Sequence, residues 1–514
     1  MHNKTIVFLL IILLFLFSLP VWLSEYPPLT DYPNHLLRIT ILKEFGNTHY
    51  NFSECFKLRN FPVPNVISDY FILFLSNLCP LQTAGKIYLN LYIILLPLSL
   101  FYFLKIIDRR KIYLGFFSFF FIYSFFFNSG FLNFCGSIPL FFFALAYWWK
   151  IKEGGSTLQF VILSLLLLLV YFSHIAAFVI LIWAVPLCQI LHLKSKKYIS
   201  KTWISLAPSL LLFLSYLFYL FFSLEESSAP KAWGYASLLG TVANFFRYSF
   251  ISFKRIEVLF YLVPLLLFGI FLIQTILKHR LVHDFKNLFR WKKLNTETTF
   301  LSLFFSLLIL YFALPMNFGG LWWGVNIRLV PFIFLLGLLV IKIDISSKLL
   351  KTLLSAFIIC LLVLLPFYTC RQYDRFQEDF QDLLSGISYF RSNQTLLPLM
   401  IEPAGLSYNT FPFWHAWAYY HIAKGGVGPY LFSDQQQNVF YRNRLPRPPA
   451  PTFFKPEDFD IRDYFPTYEH VLIWGHNLVV EKKVESHYSL IYHQGKLRLY
   501  EKSEEEQKIA EGQN

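Results

Sequence analysis

The sequence predicts a polytopic α-helical membrane protein with about eleven spans and a small α+β domain after the last of them, and three observations carry that prediction. Of its 514 residues, 56% are hydrophobic and 20% aromatic while only 15% are charged, a balance outside that of soluble globular chains. Apolar runs such as 5–23, 86–107 and 349–369 each approach the ~20 residues that cross a bilayer as a helix. After Cys370 those runs stop, and proline, polar residues and short strand-like segments take over.

Taken in order, Lys4 precedes an apolar run longer than the core of a signal peptide. The stretch Ser18-Leu19-Pro20-Val21-Trp22 offers no small-residue cleavage site, so 5–23 is expected to stay as the first span. Residues 66–78 are apolar but number only about 13 and include Asp69, so they are expected to lie along the outer membrane surface. Spans two to six follow at 86–107, 112–128, 131–149, 158–172 and 175–193. Spans seven to eleven follow at 203–224, 258–277, 300–314, 325–341 and 349–369.

With the N-terminus cytoplasmic, every dense basic cluster then falls on one side: Arg109-Arg110-Lys111, Lys150 with Lys152, Lys194 to Lys197, the cluster 278–293, and Lys342 with Lys348 and Lys351. The count makes 1–370 the multi-span domain, with extracytoplasmic loops at 24–85 and 225–257. Residues 371–500 become an extracytoplasmic soluble domain, with strands expected at 470–474 and 496–500. Residues 501–514, rich in Glu, Lys and Gln, are expected to be a disordered tail.

The net charge of +14 follows from the same bias of Lys and Arg toward cytoplasmic turns and calls for no nucleic-acid partner. Six cysteines are scattered without metal-type spacing, several inside apolar runs where Cys behaves as a small hydrophobe.

Ionisable groups at membrane depth cost a few kcal/mol unless they are paired or face water, so the few near it carry the functional signal. Pro27-Pro28-Leu29-Thr30-Asp31-Tyr32-Pro33-Asn34-His35 puts a carboxylate and an imidazole just beyond the first span, with prolines restricting the backbone. Asp31 suits a catalytic base there; it equally suits the cap of a helix beginning near Asn34. In Asn128-Ser129-Gly130-Phe131-Leu132-Asn133-Phe134, Gly130 supports a turn whose asparagines can bond backbone or ligand. His174, at the junction of two spans, reads either as packing or as a site residue. Arg328 follows the Gly- and Trp-rich approach from Asn317, one turn inside an apolar stretch. Its planar donors suit a phosphate or carboxylate, or else it snorkels to the interface beside Trp322 and Trp323.

Beyond the spans, Phe411-Pro412-Phe413-Trp414-His415-Ala416-Trp417 and the basic run with Arg442 and Arg444 read as packing and turns, or as a surface where aromatic and Arg groups bind an acceptor glycan.

An acidic residue right after span one in Thr30-Asp31-Tyr32-Pro33-Asn34-His35, the motif Gly130-Phe131-Leu132-Asn133-Phe134, Ser173-His174 and the approach to Arg328 together resemble the GT-C superfamily of membrane glycosyltransferases. The resemblance is architectural, covers the membrane region, and is broadest to protein O-mannosyltransferases and lipid A aminoarabinose transferases. The first loop has no Asp-X-Asp or Asp-Glu pair, which sets the chain apart from oligosaccharyltransferases.

The resemblance implies an inverting transferase taking a sugar from a polyprenyl-phosphate donor to a glycan, lipid or protein acceptor. In it Asp31 would be the general base and Arg328 would meet the donor phosphate, while His35, Asn133 and His174 would bind or orient substrate. It implies no nucleotide sugar, leaves a divalent metal open, and by analogy places the chain in a bacterial inner membrane. The alternative reading is a flippase or transporter of lipid-linked glycans, against which stands the lack of an internal repeat.

Overall fold

The computed structural model describes residues 3–192, 197–223, 233–278, 294–318, 322–343, 345–433, 437–451 and 453–503. The basic runs at 194–196 and 279–293, and the expected disordered tail from 504 onward, lie outside them.

Among the described residues, nine helices are long and apolar enough to cross a membrane. The chain enters through α1 (Asn3–Leu23), makes α2 (Tyr32–Lys43), a four-residue α3 (Phe52–Cys55) and α4 (Ile67–Ser76), then the long α5 (Leu81–Ile107). A 3-10 run, Arg109–Phe121, leads to the four-residue α6 (Phe125–Asn128). Next come α7 (Leu132–Ile151), α8 (Thr157–Ser173), α9 (Ile175–His192), α10 (Lys197–Ser223), α11 (Leu238–Phe250) and α12 (Val258–Lys278). They are followed by α13 (Thr296–Ala313), α14 (Val330–Val340) and α15 (Lys348–Asp374). Phe15, Leu165, Leu211, Phe218, Leu266 and Leu353 on these helices are exposed, which only a hydrocarbon surround makes favourable. The protein is an integral membrane protein.

The expected count of about eleven spans is not reached by length. The fifth and tenth stretches fall on α8, of 17 residues, and α14, of 11 residues, both shorter than the nine. The third stretch differs in kind, because its first part winds as a 3-10 helix. A Cβ on Gly115 would lie 2.9 Å from the Phe101 ring, so that part of the run presses directly onto α5. Helix α4, at 10 residues, is about 15 Å long and too short to cross.

Two polar ends close the helical body. At one, Lys342 pairs with Glu297 at 2.7 Å, and Lys111 Nζ donates to the carbonyls of Leu339 and Val340, 3.2 Å each, satisfying the free C-terminal end of α14. At the other, where α5 and α7 begin, lie α2, α4 and the first loop.

Helix α15 runs past the expected boundary at 370 and hands over to α16 (Gln377–Ser385). The C-terminal layer is built on a four-stranded sheet. Its strands, with the short ones elsewhere, are β1 (Phe56–Leu58), β2 (Asn317–Phe318), β3 (Trp322–Trp323), β4 (Leu396–Met400), β5 (Val439–Tyr441), β6 (His470–Trp474), β7 (Tyr488–Gln494) and β8 (Leu497–Lys502). The order is β4-β6-β8-β7, with β4 and β6 parallel and the remaining pairs antiparallel. Glu501 and Lys502, assigned by sequence to the tail, complete β8.

Strands β4 and β6 are buried along their whole length, so β6, expected at 470–474 as an alternating strand, is covered on both faces. One face, with Leu397, Leu399, Val471, Ile473 and Tyr500, packs on α18 (Leu478–Glu485), α17 being Ala418–Lys424. The other face, with Leu396, Leu472, Trp474 and Leu499, is continuous with the core of the helical body. Two further joins fix the layer in place: β5 pairs with β1 of the first loop, and α17 packs on α2.

Candidate active site

Asp31 sits where the first loop turns into α2, and its backbone is pinned by the 128–130 turn. Thr30 N donates to Asn128 O at 3.3 Å and Asp31 N to Ser129 O at 3.0 Å. Gly130 has φ +76°, and a Cβ there would stand 2.8 Å from the amide nitrogens of Asp31 and Tyr32, so both the conformation and the contact require glycine. Asn128 is itself held, donating to Ser252 Oγ at 3.0 Å and accepting from Tyr373 Oη at 2.8 Å. The glycine hairpin singled out in the sequence is thus the seat of the carboxylate.

Helix α2 opens with Pro33 in its first turn, a position that needs no amide donor. Asp31 occupies the N-cap position, yet its side chain caps nothing, and among the described residues no hydrogen bond ends on its carboxylate. The capping role is therefore not the one the side chain plays. Burial pushes the carboxyl up to about 8, against the opposing pull of the Arg38 and Arg328 charges.

One histidine faces this carboxylate and the charges of two arginines act on it. His415 Nε2, from the C-terminal layer, lies 3.7 Å from Asp31 Oδ1. The ring is fixed from behind by Asn34, whose Nδ2 lies 3.1 Å from His415 Nδ1 and donates to Tyr430 O at 2.8 Å. Arg38, fully buried, donates to both oxygens of Asp69 at 2.6 and 2.8 Å and lies 2.8 Å from His35 Nδ1. Its Nη1 has no partner among the described residues. Through those contacts Asp69 is held at about 2 although burial alone would raise it, whereas His35 is lowered by burial and by the Arg38 charge.

Arg328 is positioned by the turn at Gly324, φ +71°, and by donation to Trp323 O. Its guanidinium lies 5.6 Å from the Phe131 ring and 5.9 Å from Phe134, and its Nε has no partner among the described residues. Its charge acts on both Asp31 and His174. His174 accepts at Nδ1 from Ala176 N at 3.1 Å, as the cap of α9, and packs edge-on to Phe134. Burial, then Arg328, keeps its imidazole well below the usual range and hence neutral.

Of the residues chosen from sequence, Asp31, His35, His174 and Arg328 come together. Asn133 is tied to the first loop: its Nδ2 donates to Asn65 O at 2.7 Å and its Oδ1 accepts from Ser68 N at 3.0 Å. That pair of bonds anchors the start of α4 and so Asp69. Arg442 and Arg444 are exposed, and Arg442 donates to Ser53 O at 2.7 Å, using its guanidinium to tie β5 to the first loop. Arg38, Asp69 and His415 were missed. Arg38 stands one turn after His35 on α2, a signal that was present in the sequence.

Among the described residues, no three His, Cys, Asp or Glu side chains gather as metal ligands.

A first loop bearing an isolated carboxylate, a long helical body and a C-terminal layer docked on that loop make up the fold compared with known proteins. No family model matches the chain, and no curated protein matches it either. Among solved structures the fold is shared with the crystal structure of ArnT from Cupriavidus metallidurans bound to undecaprenyl phosphate. The two agree with a TM-score of 0.54 over 97% of this chain and 98% of that one, at 8% sequence identity, a likeness of fold.

Proposed function

We propose that the protein is an inverting GT-C glycosyltransferase that moves a sugar from a polyprenyl-phosphate donor to an acceptor hydroxyl on the exported face of the membrane. The observation that carries this reading is the Asp31 carboxylate, uncapped and without a hydrogen bond among the described residues, under the charges of two guanidinium groups that each keep a nitrogen without a partner among those residues. The solved relative in fold binds undecaprenyl phosphate, which supports a donor of that class.

In the reaction Asp31 takes the proton of the acceptor hydroxyl as its oxygen bonds to the anomeric carbon. The bond from that carbon to the phosphate oxygen breaks with its electron pair on the phosphate. Arg328 meets the charge that builds there, an electrostatic contribution commonly of about 3 kcal/mol. Neutral His35 and His174 offer N–H groups to sugar hydroxyls without competing for the proton. A donor whose lipid stays in hydrocarbon while its sugar reaches the first loop fits a site at the end of the helical body. No step is routed through a metal.

The test is transfer of labelled sugar from polyprenyl-phosphate donors in membranes carrying wild type or Asp31→Asn at matched protein level. Transfer should fall about a thousandfold in the variant. Equal transfer in both would sink the mechanism, and no transfer from any donor would favour a carrier of lipid-linked glycans.

A further inference from the structure

The C-terminal layer delivers an imidazole to the Asp31 carboxylate, and the tautomer of that imidazole is set by bonds to the main chain. Asn34 has its amide orientation fixed at both ends. Its Oδ1 accepts from Phe432 N at 3.0 Å, and its Nδ2 donates to Tyr430 O at 2.8 Å. The second Nδ2 proton therefore points at His415 Nδ1, 3.1 Å away, which must accept it. The His415 proton is left on Nε2, the atom that faces Asp31 Oδ1 at 3.7 Å. Phe432, with ring centroids 4.9 Å apart, and Trp414, at 5.5 Å, hold the ring on its sides, and His415 is 4% exposed.

We propose that His415 is a positioning residue for the Asp31 carboxylate, its Nε2–H already oriented on Oδ1 at 3.7 Å in the resting site and drawing closer when substrate arrives. The inference rests on the transferase reading and extends it, since it makes the C-terminal layer part of the catalytic centre. Catalytic hydrogen bonds are often long before substrate arrives and tighten afterwards, and 3.7 Å is within such a contraction. The other groups acting on Asp31 are cationic: Arg38, largely balanced by Asp69, and Arg328. His35 and His174 stand nearby as neutral rings. His415 is thus the one neutral donor among the described residues aimed directly at the carboxylate, able to fix its orientation without cancelling its basicity.

The experiment uses full-length protein in lipid nanodiscs and reads carbodiimide labelling of Asp31 by peptide mass spectrometry from pH 5 to 10, because only a protonated carboxyl reacts. A donor on the carboxylate favours the anion, so His415→Phe should move the labelling midpoint up by about one pH unit, tenfold in proton affinity. His415→Gln, which carries an amide N–H to about the same place, should restore most of that shift.

In transfer assays His415→Phe should lose about tenfold in kcat with little change in KM for the donor. Superimposable labelling curves for wild type and His415→Phe would overturn the proposal, as would a His415→Gln curve identical to that of His415→Phe. Should His415→Phe not survive purification, His415→Met, which also lacks a donor, takes its place. Labelling does not depend on turnover, so it decides the contact even if no donor supports transfer.

Discussion

Two carboxylates of this protein face opposite circumstances at neighbouring corners of the same loop system. Glu257 is buried and saturated: it accepts from Ser252 N at 2.6 Å, Phe253 N at 3.0 Å, Lys254 N at 3.1 Å and Tyr368 Oη at 3.2 Å. Asp31 accepts nothing among the described residues. The first arrangement holds a backbone turn together; the second keeps a carboxylate at the ready, at the expense of stability. Buried acidic residues are thus sorted by whether their lone pairs are filled, not by their burial. The corners are also linked, since Ser252 beside Glu257 accepts from Asn128, whose carbonyl holds Thr30.

The comparison sharpens most at Asp69, the other saturated carboxylate. Asp69→Asn would leave the fully buried Arg38 guanidinium without its counter-charge, and should destabilise the protein by about 3–5 kcal/mol. Thermal unfolding in detergent would register it as a large loss of folded protein, and an unchanged midpoint would break the distinction. Glu257→Gln keeps the shape but weakens acceptance of three backbone N–H groups, and should cost about 1–3 kcal/mol. Transfer per folded molecule should change less than twofold there, in contrast with Asp31→Asn.

The smallest effect is one of pH. Since burial raises the Asp31 carboxyl to about 8, its base form is scarce in acid and grows as pH rises, so transfer should climb between pH 6 and 9 with a midpoint near 8. The same shift has the opposite sign for stability. The folded state holds this proton more tightly than the unfolded chain, so between about pH 4 and 8 it loses stability as pH rises. Asp31→Asn should remove that loss, and a variant that melts lower than wild type at pH 8 would contradict the assignment.

Most of the helical body was legible because lipid demands length and apolarity, and those survive in any sequence. Asp31, His35, His174 and Arg328 could be grouped by topology alone, since alternating spans bring distant loops to one face. What topology could not supply was the direction of side chains. Asn133 lies on the correct face yet turns its amide into the backbone of 65–68. Asp69 marked a surface helix by its charge, but its pairing with Arg38, 31 positions earlier, depends on two helices packing. His415, inside an aromatic run, looked like packing, and nothing local reports that Asn34 fixes its tautomer. Strand β6 was legible at 470–474, whereas β4, buried on both faces, gave no alternation to find it by.

The bond between Asn34 and His415 joins residues 381 positions apart, and β1 pairs with β5 over a similar separation. At the ~5–20 residues per second of protein synthesis, roughly twenty to eighty seconds elapse between the emergence of the two sides. Throughout that interval the first loop has its amides and its asparagine waiting for a strand and a ring not yet made. The surroundings of Asp31 are therefore among the last parts of the molecule to come into being, and a chain cut short before His415 would lack the ring that faces this carboxylate.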